Sequence, residues 1–179
     1  AFDALIEQGD CLLRQHAFET LPAPLAPRFA CAMLGALQWR QPGRPDVEFW
    51  YERACAAVQS IVAEGPRILA GMQPFHFTAV QWGNHSELDA QHARLRPSPG
   101  LAQLSPIEAL LATILDASHA WLRGFPDQAV EHVRRGRDLR DRYGIRLPGW
   151  LLCCHEIYAL ATAGRLDEVT EALARARVT

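Results

Sequence analysis

Apolar residues recur along this chain at helical spacing. Between Val47 and Val58 they fall at positions i, i+3, i+4 and i+7, with charged residues among them, which is the pattern of an amphipathic helix with one buried stripe. The stripe consists of Val47, Trp50, Tyr51, Ala54, Cys55 and Val58. No segment has the alternation of apolar and polar residues that is typical of a strand. The pattern therefore predicts an all-α fold.

Four glycines divide the helical segments at a nearly constant period. Gly43, Gly83, Gly124 and Gly164 are 40, 41 and 40 residues apart. Each stands between two segments of helical length, so the repeating unit is predicted to be helix A, a tight turn and helix B. The glycine is expected to supply the left-handed residue that ends helix A. Three residues later comes a side chain suited to capping helix B, and these residues are Asp46, Ser86, Asp127 and Asp167.

The pattern predicts a leading helix over residues 2–16 and four helix pairs after it. Helix A is expected over residues 27–40, 66–82, 106–123 and 148–163, each with a proline near its first turn, where the missing N–H costs no hydrogen bond. Helix B is expected over residues 46–61, 85–95, 127–143 and 167–177. A single pair cannot bury its own apolar face, so the pairs are expected to stack into one α-solenoid domain over residues 1–179.

The second unit breaks this pattern. Pro74 falls inside its helix A and is expected to kink the helix or to delay its start. A kink would open a pocket around Phe75, His76 and Phe77. The alternative is that Pro74 is an irregularity that the repeat tolerates and that has no function. Helix B of this unit is short, and residues 96–100 are expected to form a loop.

Residues 117–143 and 159–176 resemble the tetratricopeptide repeat. The matching positions are Ala117, Gly124, Ala129, Val133 and Gly136 in the third unit, and Gly164, Val169, Leu173 and Ala176 in the fourth. The resemblance implies a right-handed solenoid of about four such helix pairs. The first two units match less well, since Glu48 and Glu52 stand where apolar residues belong, and the repeat is about six residues longer than the usual ~34.

Ala- and Arg-rich repeats of this length with a Gly-Arg-Leu-Asp-Glu turn, here Gly164 to Glu168, are similar to the helical sensor region of large bacterial transcription activators related to the maltose activator. In that family an ATPase precedes the solenoid and a LuxR-type DNA-binding domain follows it. The resemblance implies a non-catalytic sensor or interaction domain of a bacterial transcription regulator. A stand-alone tetratricopeptide adaptor that binds a peptide or assembles a protein complex is the alternative. Because the chain begins with Ala1 inside a helical pattern, we expect it to be part of a longer multidomain protein.

In tetratricopeptide proteins the ligand lies against helix A side chains on the concave face. We aligned the four repeats on their turn glycines and assigned the ligand-binding positions of helix A in each. The predicted groove is lined by Met33, Leu37, Arg40, Gln73, Phe77, Val80, Ile114, Ser118, Trp121, Cys154, Tyr158 and Ala161. Such a surface suits a peptide, an amphipathic helix or a small-molecule effector that stacks on Phe77, Trp121 or Tyr158. The alternative is that at least one of these aromatic residues packs in the core, because apolar helical stripes are more often buried than functional.

The charge of the chain argues against direct contact with nucleic acid. The formal net charge is −2, so no global basic field attracts a polyanion. All 18 basic residues are arginine, which we attribute to a GC-rich bacterial genome. Residues 134–146 carry six arginines and form either a solvated outer face or a dock for an acidic partner. No apolar run approaches the roughly 18–20 residues of a membrane span, so we expect a cytoplasmic protein, and self-association stays open.

The sequence contains no motif for catalysis, phosphate binding or dinucleotide binding, so neither an enzyme activity nor a cofactor is expected. His85, Asp89 and His92 share one helix face at a spacing that could hold a divalent metal. A packed histidine is the preferred interpretation of His92, and no metal is expected.

The five cysteines form no Cys-x-x-Cys pair and are expected to be reduced, structural thiols. Cys153, Cys154 and His155 are adjacent, but neighbouring side chains of a helix point apart, so they are not expected to form a nucleophile and its base.

Overall fold

The computed structural model describes residues 2–15, 18–22, 25–79, 83, 85–96, 104–146 and 149–176. Within these residues the chain forms nine α-helices and no strand, so the predicted all-α class is confirmed. The helices are α1 (Phe2–Arg14), α2 (Ala26–Arg40), α3 (Val47–Ser60), α4 (Glu64–Phe77), α5 (His85–Leu95), α6 (Pro106–Leu122), α7 (Pro126–Tyr143), α8 (Gly149–Thr162) and α9 (Leu166–Ala176). A short 3-10 helix, Phe18–Thr20, follows α1.

The helix pairs fall where the apolar pattern predicts them. The pairs α2/α3, α4/α5, α6/α7 and α8/α9 each have a turn glycine in the connection between their two helices. Most helix ends agree with the predicted bounds to within two residues; the described part of α4 ends earlier, at Phe77. Residues 80–82 of the predicted second helix A, residues 97–100 of the predicted loop and Pro148 lie outside the described residues.

The chain divides into two compact units, residues 1–91 and 92–179. In the first unit α1 packs against α2, α2 packs against α3, and α4 packs against both α2 and α3. In the second unit α6 packs against α7, α8 packs against both, and α9 packs against α8. Each unit therefore has the same order, in which the next helix A packs against both members of the preceding pair. This order is consistent with a helical repeat.

Aromatic rings form part of the core of the first unit. Trp50 is fully buried, and the rings of Phe18, Phe29 and Phe49 lie with their centroids 5.2 to 5.8 Å from it. The guanidinium of Arg53 covers this group, 4.3 Å from the ring centre of Phe49, as in a cation–π contact. The predicted stripe on α3 is thus the buried face of that helix.

Small residues dominate the core where α6, α7, α8 and α9 meet. The buried residues of this cluster are Ala120, Ala129, Val130, Ala159, Leu160 and Ala172. Gly136 is also buried, and a Cβ atom placed on it would lie 2.7 Å from Cδ2 of Leu152. Because these side chains are small, α7 and α8 approach each other closely.

The predicted turn geometry is confirmed at three of the four glycines. Gly83, Gly124 and Gly164 have positive φ angles of 60°, 80° and 73°. Gly43 does not adopt the left-handed conformation, so that prediction was wrong. α2 ends at Arg40, and the N–H of the next residue, Gln41, binds the carbonyl of Leu37. Because this is the usual hydrogen bond between residues four apart in an α-helix, the end of α2 requires no left-handed residue.

The predicted helix caps were wrong in detail. Asp46 precedes α3 as expected, but its carboxylate binds Arg44 and the indole N–H of Trp50 rather than the helix amides. Ser86, Asp127 and Asp167 lie inside the first turns of their helices. The helix dipole favours acidic residues in the first turn of a helix as well as at the N-cap position. The sequence alone therefore does not show which of the two positions such a residue occupies.

Pro74 does not delay the start of its helix. α4 begins at Glu64, ten residues before Pro74, and continues to Phe77. Beyond α4, the N–H of Gly83 binds the carbonyl of Thr78 at 3.0 Å. Phe75 and Phe77 are fully buried, so both side chains pack in the core.

Candidate functional site

A pair of stacked aromatic rings lies on the surface of the second unit. Because α8 packs against α6, Trp121 in the last turn of α6 meets Tyr158 of α8, with ring centroids 5.3 Å apart and an interplanar angle of 25°. Trp121 Nε1 donates to Oγ1 of Thr162 at 2.9 Å. Tyr158 is 48% exposed. We call Trp121, Tyr158 and Thr162 the aromatic face; its exposed ring can stack on an apolar or aromatic group.

A buried hydrogen-bonded pair also joins α6 to α8. Ser118 Oγ lies 2.5 Å from Nε2 of His155, and Nδ1 of His155 lies 2.7 Å from the carbonyl of Leu151. A carbonyl can only accept, so Nδ1 carries a proton. Ser118 Oγ also donates to the carbonyl of Ile114 at 2.9 Å, so this hydroxyl contacts both that carbonyl and Nε2 of His155. Burial lowers the pKa of His155, although the bond to Leu151 opposes that shift. The His155 side chain therefore links α8 to α6 through Ser118.

In the second unit the predicted groove residues separate into four groups, one of which is the exposed Ala161. Trp121 and Tyr158 are brought together in the aromatic face. Ile114 and Ser118 are buried. Cys154 instead borders a different cleft, beside Trp150.

In the first unit most of the predicted groove residues are core residues or ion-pair partners. Met33, Leu37 and Phe77 are fully buried, so the alternative that one of the three aromatic residues packs in the core is confirmed for Phe77. Arg40 binds both carboxylate oxygens of Asp3, at 3.1 and 2.9 Å. The Gln73 side chain lies against α2, where a Cβ on Gly35 would be 3.1 Å from its Oε1 atom. Val80 lies outside the described residues.

A buried hydrogen-bond chain in the first unit was not predicted from the sequence. Gln91 Nε2 donates to Oη of Tyr51 at 2.5 Å, Tyr51 Oη lies 2.9 Å from Oγ1 of Thr78, and Thr78 donates to the carbonyl of Pro74 at 2.9 Å. Burial raises the pKa of Tyr51. These hydrogen bonds link α3, the C-terminal end of α4 and the middle of α5. In the sequence, these hydrogen bonds are indicated only by polar side chains at positions that become buried when the helices pack.

Two histidines lie next to one carboxylate in the second unit, and a third histidine stacks on one of them. His92 Nε2 lies 2.7 Å from Oδ1 of Asp116, and its ring stacks on that of His119 at a centroid distance of 4.0 Å. His132 Nδ1 is 4.0 Å from the other Asp116 oxygen. Burial alone would raise the pKa of Asp116, but the hydrogen bond from His92 holds that pKa below its usual range.

His92 is a packed histidine, in agreement with the preferred interpretation, and its side chain is only 15% exposed. In the part of the chain that the structure describes, no three His, Cys, Asp or Glu side chains are placed to hold a metal ion.

The stability of the second unit is expected to fall as the pH drops through about 6.5, the ordinary pKa of histidine. Burial lowers the pKa of both His132 and His155, so below that pH the unfolded chain binds protons that the folded chain resists. At about pH 5.5 the loss is at most about 1.4 kcal/mol per histidine. Urea unfolding at about pH 7.5 and about pH 5.5 measures it. A His155→Gln variant should lose less stability between the two pH values, and an equal or larger loss would contradict this assignment.

All five cysteines are free thiols. Cys31 is buried, and burial raises its pKa to about 11. Burial also raises the pKa of Cys153. Thiols of raised pKa are poor nucleophiles near neutral pH, which fits structural roles for these two cysteines.

None of the described helices is both long and apolar enough to cross a bilayer. No protein-family model matches this chain, and no curated protein sequence or solved structure is significantly similar to it. Its likeness to tetratricopeptide regulators therefore rests on its own residues alone.

Proposed function

We propose that this chain is a non-catalytic sensor or interaction domain of a bacterial transcription regulator, built from tetratricopeptide-like helix pairs, and that the aromatic face binds its ligand or partner protein. The observation that carries the proposal is the stack of the half-exposed Tyr158 on the partly buried Trp121. Both residues stand at positions where tetratricopeptide proteins hold their ligands.

The turns of the third and fourth units support the repeat. At the end of α6 the N–H of Phe125 binds the carbonyl of Ala120 at 2.8 Å, and at the end of α8 the N–H of Arg165 binds the carbonyl of Leu160 at 2.9 Å. Each bond spans five residues across a left-handed glycine, as in a Schellman motif. The two turns are equivalent in the predicted repeat and share one backbone geometry.

A recurrent arginine gives further support. Arg44 and Arg165 each follow a turn glycine directly, in the first and fourth units. Each joins the beginning of its own helix B to an earlier helix. The partners are Asp10 and Asp46 for Arg44, and Asp127 and Glu168 for Arg165, at nitrogen–oxygen distances of 2.6 to 3.1 Å. Equivalent residues thus make equivalent links in two repeats.

The aromatic face is expected to supply much of the binding energy for a partner. Peptides selected from a random library on the unmodified protein provide the probe, and fluorescence anisotropy measures their affinity. Tyr158→Ala and Trp121→Ala should each weaken binding about tenfold, because each removes an aromatic contact. In the regulator, the same substitutions should change a defined set of transcripts when they are introduced at the native gene.

Tyr143→Ala is the matched control, since Tyr143 is an exposed tyrosine on α7, outside the aromatic face, with 53% exposure against 48% for Tyr158. It should leave both the peptide affinity and the transcripts unchanged. Binding that survives in Trp121→Ala and Tyr158→Ala proteins that fold normally would refute the proposed site.

A further inference from the structure

A cleft lies between α7, α8 and α9 in the second unit. One part has a volume of about 800 Å³ and is lined by Arg140, Ile145, Arg146, Trp150, Cys153 and Ile157, among others. An adjoining part of about 550 Å³ shares Arg140 and Cys153 and adds Arg137 and Arg175. Volumes of 300 to 1,000 Å³ are about the size of small-molecule sites in proteins.

The cleft is positively charged, although the chain as a whole carries a net charge of −2. Among the described residues, four arginines line its two parts, and Asp141 is the only acidic residue in the lining of either. Asp141 pairs with Arg140 at 2.7 Å. Arg137 and Arg175 both bind the buried carboxylate of Glu156, which lies outside the lining of these two parts.

A third carboxylate, that of Glu171, lies 3.8 Å from Arg175. The described charges that line the cleft or pair with its lining are therefore four guanidinium groups and three carboxylates. One positive charge remains in excess, so the cleft complements an anion. A guanidinium binds carboxylate and phosphate groups with paired hydrogen bonds.

One wall of the cleft is apolar. Trp150 is 59% exposed, and with Cys153 and Ile157 it forms a stripe along α8 at spacings of three and four residues. This stripe differs from the side of α8 on which His155 and Tyr158 meet α6. An exposed indole beside guanidinium groups suits a ligand that joins an aromatic body to an anionic group.

We propose that this cleft binds a small organic anion with an aromatic body and a carboxylate or phosphate group. The anionic group lies against Arg140 and Arg146, and the aromatic body stacks on Trp150. The site is separate from the aromatic face, so this proposal and the function proposed above can be tested independently of each other.

The probe for this site is 8-anilinonaphthalene-1-sulfonate, an aromatic anion that becomes fluorescent when bound. We expect one saturable site, and Trp150→Ala and Arg146→Gln should each weaken binding about tenfold. Tyr143→Ala and Arg135→Gln are the matched controls, because these exposed residues of α7 do not line the cleft; both should bind like the unmodified protein. Competition by 1-naphthoate and 1-naphthyl phosphate then shows which anionic group the cleft prefers.

The uncharged analogue N-phenyl-1-naphthylamine tests the role of the charge and should bind at least tenfold more weakly. Equal binding of the charged and neutral probes, or an affinity unchanged in Trp150→Ala and Arg146→Gln, would overturn the proposal. Far-ultraviolet circular dichroism of each variant shows whether a loss of binding comes from unfolding. If Trp150→Ala unfolds, Arg146→Gln with the two probes decides the question alone.

Discussion

Replacing Phe77 with alanine is expected to lower the free energy of unfolding by about 3 to 5 kcal/mol. Phe77 is fully buried in α4, and its ring lies 5.8 Å from that of Tyr51 on α3. The substitution removes the whole ring and leaves a cavity that α3 and α4 cannot close without moving. Urea unfolding followed by circular dichroism measures the loss.

Leu69→Ala is the control, because Leu69 is a large apolar residue on the same helix but is 61% exposed. Its substitution should change the free energy of unfolding by less than about 0.5 kcal/mol. If Phe77→Ala were as mild as Leu69→Ala, Phe77 would not be a core residue. The groove predicted from the tetratricopeptide resemblance would then include it again.

Gly136→Leu is expected to destabilise the second unit by about 1 to 3 kcal/mol or more. Even a Cβ atom at this position would lie 2.7 Å from Leu152 Cδ2 and 3.4 Å from Thr113 Cγ2. Leu152 is fully buried, so the added side chain must push α7 away from α6 and α8. Thermal and urea unfolding measure the effect.

Asp138→Leu introduces the same side chain two residues away, at an exposed position of α7. It should have little effect on stability, because leucine suits a helix and no neighbour has to move. A Gly136→Leu protein as stable as Asp138→Leu would mean that α7 and α8 are not closely packed at Gly136.

Much of the fold follows from local patterns in the sequence. The spacing of apolar residues and the glycine period place all four helix pairs, because a helix positions residues three and four apart on one face. The caps are less predictable. Asp127 and Asp167 are favourable both before a helix and in its first turn, so the sequence does not distinguish the two positions.

The side-chain partners of the candidate site could be predicted only in part. The tetratricopeptide resemblance predicts Trp121 and Tyr158 as site residues, but it does not predict that the two rings stack on each other. The bond from Gln91 to Tyr51 and the bond between His92 and Asp116 join residues far apart in the chain. Nothing in the spacing of the sequence pairs them, because their meeting depends on how whole helices pack.

One position of the repeat shows which properties the sequence determines and which properties only the tertiary structure decides. Leu37, Phe77, Ser118 and Tyr158 each stand six residues before a turn glycine, and the sequence by itself determines this equivalence and the helix that carries each residue. The tertiary structure decides that the first three are buried and that Tyr158 is 48% exposed. The physical reason is that helix formation depends on neighbours within one turn, whereas burial depends on the helices that pack over a position. Ser118 is covered by His155 of α8, whereas Tyr158 stacks on Trp121 and leaves about half of its surface exposed.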